Sequence, residues 1–204
     1  MSTLLLIRHG ENDYLKKNRL PGHLPGIHLN ERGREQAAEL VRTLGQLPIK
    51  AIYSSPLERA VETAEPLAQT LGLGIQIRPP LTDVDPGLWT GRSWKDLRRT
   101  KDWKVIQHTP SQFQFPGGET FLQAQQRIVA ALTAISTAHK REMVAVVFHA
   151  DPIKLAVAHY LGLPLDNFQR LTIHAGSVTV MEIGESTARL LASNLIPPFS
   201  FPKS

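Results

Sequence analysis

Two apolar runs in this chain do not alternate with polar residues: 4–7 (Leu-Leu-Leu-Ile) and 143–148 (Met-Val-Ala-Val-Val-Phe). Such runs read as strands buried on both faces, as in a parallel sheet. Both stop on an imidazole, the first at Arg8-His9-Gly10 and the second at His149-Ala150-Asp151. Between them the pattern switches to helical spacing. Residues 33–47 carry Ala37, Leu40, Val41 and Leu44 on one face, with Asn30 as N-cap. Residues 49–55 read as a second strand. A helix follows over 56–71, with Pro56 at its first position and Gly72 and Gly74 marking its end. A short strand over 75–78 comes next. A long helix over 119–139 carries Phe121, Ala124, Ile128, Leu132 and Ile135. After the second imidazole the pattern predicts a helix over 152–161 and strands over 169–174, 178–183 and 189–193. The tail, 197–202, is Pro-rich and reads as extended. Strands alternating with helices predict a three-layer α/β/α sandwich around a mostly parallel sheet.

The irregular stretch 79–118 interrupts this order. It holds Trp89, Trp94 and Trp103 and one expected helix over 93–101. With no repeat and no long linker, the expectation is a single domain over 1–204, with 79–118 as an inserted lid. A second loop, 19–30, is broken by two Pro-Gly pairs.

A parallel sheet presents ligands at the carboxyl ends of its strands. His9 and His149 both fall there. So does Ser54-Ser55-Pro56-Leu57-Glu58-Arg59, which sets Arg59 in the first turn of a helix. Helix N-termini attract anions, and Arg binds phosphate oxygens in pairs. Arg8, Arg59 and the two imidazoles therefore read as a phosphoryl pocket. The net charge of +5 agrees with an anionic ligand. The chain has no cysteine, which removes disulfides, thiolate metal sites and Cys nucleophiles. No zinc motif and no P-loop is present, so neither a metal nor a cofactor is expected. The short apolar N-terminal run does not read as a signal peptide, and no stretch is long enough to span a bilayer. A cytoplasmic protein without membrane or nucleic-acid partners is expected. The basic run Arg98-Arg99-Thr100-Lys101 reads as a solvated helix face. The oligomeric state stays open, a homodimer included.

These motifs resemble the histidine phosphatase superfamily, the phosphoglycerate mutase-like family. The resemblance spans roughly 3–185. It rests on Arg8-His9-Gly10-Glu11, Ser54-Ser55-Pro56-Leu57-Glu58-Arg59-Ala60, Gly87-Leu88-Trp89-Thr90-Gly91, Pro116-Gly117-Gly118-Glu119-Thr120 and Phe148-His149-Ala150. It implies that His9 is the nucleophile and that Arg8, Arg59 and His149 hold the phosphoryl oxygens. It implies a carboxylic acid that protonates the leaving group and later activates water. Asp83 stands where the family usually has Glu, one methylene longer; Asp151 is the second candidate. Leu15 stands where the family commonly has a phosphate-binding Asn, a contact that Asn12 would replace. Phe148 stands where a Ser often precedes the second His. Ala150 and Asp151 belong with the substrate-facing residues. The expected activity is a metal-independent phosphatase acting on a small phosphorylated metabolite. The alternatives are a phosphomutase and a catalytically weak phospho-ligand binder.

Overall fold

The computed structural model describes residues 1–199. Six strands form one sheet in the order β3-β2-β4-β1-β5-β6: β1 (Ser2–Arg8), β2 (Ile49–Ser54), β3 (Ile75–Ile77), β4 (Met143–Phe148), β5 (Val178–Ile183) and β6 (Ala188–Leu195). β1 pairs with β4, β4 with β2 and β2 with β3, all parallel. β5 alone runs against its neighbours β1 and β6. This is a mixed α/β fold with a mostly parallel central sheet.

The unbroken apolar runs follow from burial on both faces. Leu4 and Leu6 of β1, with Val144, Val146 and Phe148 of β4, enter one core. Leu5, Ile7, Ala145 and Val147 enter the other. The second core is covered by α2 (Glu31–Leu44) and α3 (Glu58–Leu71). The first is covered by α6 (Phe121–Ala138), α7 (Ala150–Tyr160) and the segment before α6. A single-turn helix, α1 (Asp13–Lys16), follows β1.

Four expectations shift. Residues 169–174 are not a strand. A 3₁₀ turn, Leu165–Arg170, runs into them, and their backbone groups are taken by side chains instead. Ile173 O accepts from Arg8 Nη1 and His174 N donates to Asn194 Oδ1. The helix expected over 93–101 is two helices, α4 (Trp94–Leu97) and α5 (Lys101–His108). Ser93 and Thr100 each accept from a backbone N–H of the helix they start, and each cap begins a new direction. α3 begins at Glu58, so Pro56 lies before it. α7 begins at Ala150 because His149, extended at φ −125°, is its N-cap. Pro152 is then in the first turn, where no N–H is required. Of the Pro-rich tail, residues 200–204 lie outside the described residues. No described helix is long and apolar enough to cross a membrane.

Candidate active site

β2, β4 and β1 are neighbours, and their carboxyl ends coincide. Arg8 is level with Phe148, and Ser54 with Val147. The next residues of the three strands continue the ladder: His9 N donates to Phe148 O (3.0 Å) and Ser55 N to Val147 O (2.9 Å). His9 and His149 thus emerge side by side, ring centres 5.1 Å apart and planes at 62°. Gly10 is required here by close approach, not by unusual dihedrals. A Cβ on it would come within 2.6 Å of the carbonyl oxygen of Gly33 in the first turn of α2.

The backbone fixes the state of His9. Its Nδ1 lies 2.7 Å from Gly10 O, and a carbonyl only accepts, so Nδ1 carries the proton. Nε2 is left unprotonated and accepts a hydrogen bond from Arg59 Nε at 3.3 Å. Burial, then the cations of Arg59 and Arg8, hold the imidazole well below its ordinary pKa. His149 is depressed likewise, by burial first and Arg59 second. Its Nε2 bonds Ser55 Oγ at 2.8 Å.

Arg59 is fully buried, held by Gly22 O (2.9 Å) and 3.4 Å from Asp83 Oδ2. Asp83 Oδ2 also lies 3.7 Å from His149 Nδ1. Burial raises the Asp83 pKa, with Arg59 working against the shift and Asp151 adding to it. Several buried nitrogens in this cluster have no hydrogen-bond partner among the described residues: Arg8 Nε, Arg59 Nη1 and His149 Nδ1. α3 and α7 both start here, and neither is capped by a side chain, whereas α1, α2, α4, α5 and α6 all are. Helix starts without a side-chain cap and cationic groups with unpaired nitrogens suit an anion with several oxygens.

The remaining expected residues are placed as follows. Ala150 and Asp151 line the same cavity as Arg8, His9 and Asp83. Asp151 is tied to Lys154 Nζ at 3.1 Å. Asn12 is fully buried, and its Oδ1 caps α1 by accepting from Leu15 N, while Nδ2 has no partner. Leu15 is in the cavity wall. No trio of His, Asp or Glu among the described residues is placed to hold a metal ion.

Sequence reasoning missed the device that holds the Asp83 loop. Arg127 of α6 donates to Pro80 O, Thr82 O and Asp83 O at 2.8, 2.9 and 2.7 Å. It is itself held by Glu119, which accepts from Arg127 Nε and from Asp85 N. His23 Nε2 adds a second bond to Asp83 O at 2.7 Å. Glu119 belongs to the quoted Pro-Gly-Gly-Glu-Thr motif; nothing local marks Arg127. The other histidine of the 19–30 loop, His28, is paired with Glu62.

Comparison with known proteins gives this arrangement a family. Phosphoserine phosphatase 1 of Hydrogenobacter thermophilus is 28% identical, over 96% of this chain and 93% of that one. The 2,3-bisphosphoglycerate-dependent phosphoglycerate mutase of Thermoplasma acidophilum is 29% identical, over 90% and 88%. Among solved structures, YhfR of Bacillus stearothermophilus superposes with a TM-score of 0.89 at 28% identity, covering 96% of this chain and 98% of that one. The model of the histidine phosphatase superfamily, branch 1, matches residues 4–196, and the chain belongs to that superfamily.

Proposed function

We propose that this protein is a phosphatase that hydrolyses a small phosphomonoester through a phosphohistidine on His9, without a metal ion. The observation that carries this reading is the set of buried nitrogens of Arg8, Arg59 and His149 without a hydrogen-bond partner, in one cluster with the unprotonated Nε2 of His9.

The Nε2 lone pair attacks phosphorus as the bond to the ester oxygen breaks. Arg8, Arg59 and the Nδ1–H of His149 take the equatorial oxygens, where charge must be balanced in the transition state. Asp83, whose raised pKa keeps it protonated further toward neutrality, gives its proton to the departing alkoxide. The resulting carboxylate then takes a proton from water. The water oxygen bonds phosphorus, the P–N bond breaks and the electron pair returns to Nε2. Asp83 suits this role better than Asp151, because its Oδ2 lies among Arg59 and His149 of the phosphoryl cluster whereas Asp151 is paired with Lys154.

Superfamily relatives include a mutase, so the fate of the phosphoryl group matters. A mutase must keep water from its phosphohistidine. One fifth of the Asp83 side chain is exposed, which favours hydrolysis. The test is p-nitrophenyl phosphate turnover in excess EDTA, wild type beside His9→Ala. Activity that persists with chelator and is lost in the variant is expected. Turnover by His9→Ala at the wild-type rate would sink the proposal. Phosphoryl transfer to an added monophosphate in preference to water would replace it with the mutase reading.

A further inference from the structure

Beyond the phosphoryl cluster, the cavity continues into the segment before α6 and reaches a volume of about 490 Å³. That is the size of a pocket for a drug-like molecule. A phosphoryl group with a three-carbon polar alcohol would leave most of it to water. Its lining there combines apolar side chains, Leu15, Trp94, Trp103 and Ile106, with polar ones, Asn18 and Gln107. Trp94 and Trp103 meet edge to face, ring centres 5.7 Å apart at 69°. Both are half-buried, and each sits just inside a helix whose capping residue, Ser93 or Thr100, fixes its direction. The indoles are thus held in place rather than free to collapse together.

The polar groups on this side are poorly suited to a charged amino-acid or sugar-acid alcohol. Lys154 is taken by Asp151 (3.1 Å) and Gln169 (3.3 Å). Arg98 is exposed, with its guanidinium 6.0 Å from the Trp103 ring centre. A small zwitterionic leaving group would find one cation already neutralised and the other exposed to water. An aromatic ring finds π-faces and edges at fixed positions.

We propose that the leaving group is a flat, largely apolar alcohol of about the size of a fused two-ring aromatic, packed against Trp94 and Trp103. This rests on the cavity being the phosphomonoester site. Its first test is binding, which does not depend on turnover. His9→Ala protein is titrated by calorimetry with 2-(2-naphthyl)ethyl phosphate, glycerol phosphate and phosphoserine. The naphthyl ester is expected to bind at least tenfold more tightly than either small ester. Replacing Trp103 as well, His9→Ala/Trp103→Ala, is expected to shrink that ratio to threefold or less. In case the double variant misfolds, the phosphate-free alcohol 2-(2-naphthyl)ethanol is added to wild type. It is expected to compete with p-nitrophenyl phosphate at concentrations where glycerol does nothing. Phosphoserine binding as tightly as the naphthyl ester, or naphthylethanol competing no better than glycerol, would overturn the assignment. Tight naphthyl binding without any hydrolysis by wild type would refute the phosphatase reading and still support this one.

Discussion

His9 has two ring nitrogens, and the backbone takes one. With Nδ1–H committed to Gly10 O, the side chain is held as the tautomer whose Nε2 carries the lone pair, and burial, with the flanking cations, holds its pKa well below the ordinary value. Asp83 is the complementary group, a carboxyl held protonated above its usual range. The two roles of Asp83 can be separated. Nitrophenolate leaves without a proton, so Asp83→Asn should still phosphorylate His9 with p-nitrophenyl phosphate. It lacks the base that activates water. Rapid mixing should therefore show a burst of about one nitrophenol per protein, followed by turnover slowed about 10²–10⁴-fold. Alkyl esters, which need the acid in the first step, should give no burst. A burst-free, near-normal rate in Asp83→Asn would instead move the acid to Asp151. In Asp151→Asn the first effect should fall on Lys154, which loses its ion-pair partner, and the burst should be absent because water activation is intact.

At the scale of elements, the strands that carry the site were readable because nothing else competes with a run of four or more buried apolar residues. The register of β1, β4 and β2 then brings His9, His149 and Ser55 together with no further instruction. The segment before α6 was not readable, because Thr100 looks like one residue of a basic run and is the cap of α5. Residues 169–174 have strand-like composition, yet Arg8 and Asn194 take the backbone groups a strand would need. The clamp on the acid loop was hidden for a related reason. Arg127 reaches three carbonyl oxygens 44 to 47 residues away, and a carbonyl leaves no mark in a sequence. A displacement of about 1 Å in a reacting group can cost about 10²-fold. Arg127→Met should therefore lower kcat for an alkyl phosphate by about tenfold or more. KM should change little, since Arg127 lies behind the loop. The loss on p-nitrophenyl phosphate should be smaller in its burst phase, which needs no acid. Equal losses in the burst and on alkyl esters would mean that Arg127 supports the fold generally and does not place Asp83.

At the scale of the whole molecule, the site has a stability cost that pH should reveal. Two imidazoles are buried against two guanidiniums, and both have folded pKa values well below the usual 6.5. As pH falls through 6.5, the unfolded chain takes up protons at these positions and the folded chain does not. Stability therefore falls with falling pH across that window. Asp83 works in the opposite sense and lower down. Its folded pKa is above the usual 3.8, so folding keeps its proton longer and is weakened as pH rises through that range. His28 is raised by Glu62, which would add stability below 6.5, but it is exposed and water screens the pair. The buried pair should dominate between pH 7.5 and 5.5. Thermal melts of wild type should show Tm dropping over that interval. In His9→Gln, which titrates one fewer buried imidazole, the drop should be distinctly smaller, even if the Tm at pH 7.5 differs from wild type. An identical drop in the two proteins would mean that His9 accepts its proton in the folded state. It would then be no free nucleophile at pH 5.5, and acid activity should be lost over the same interval.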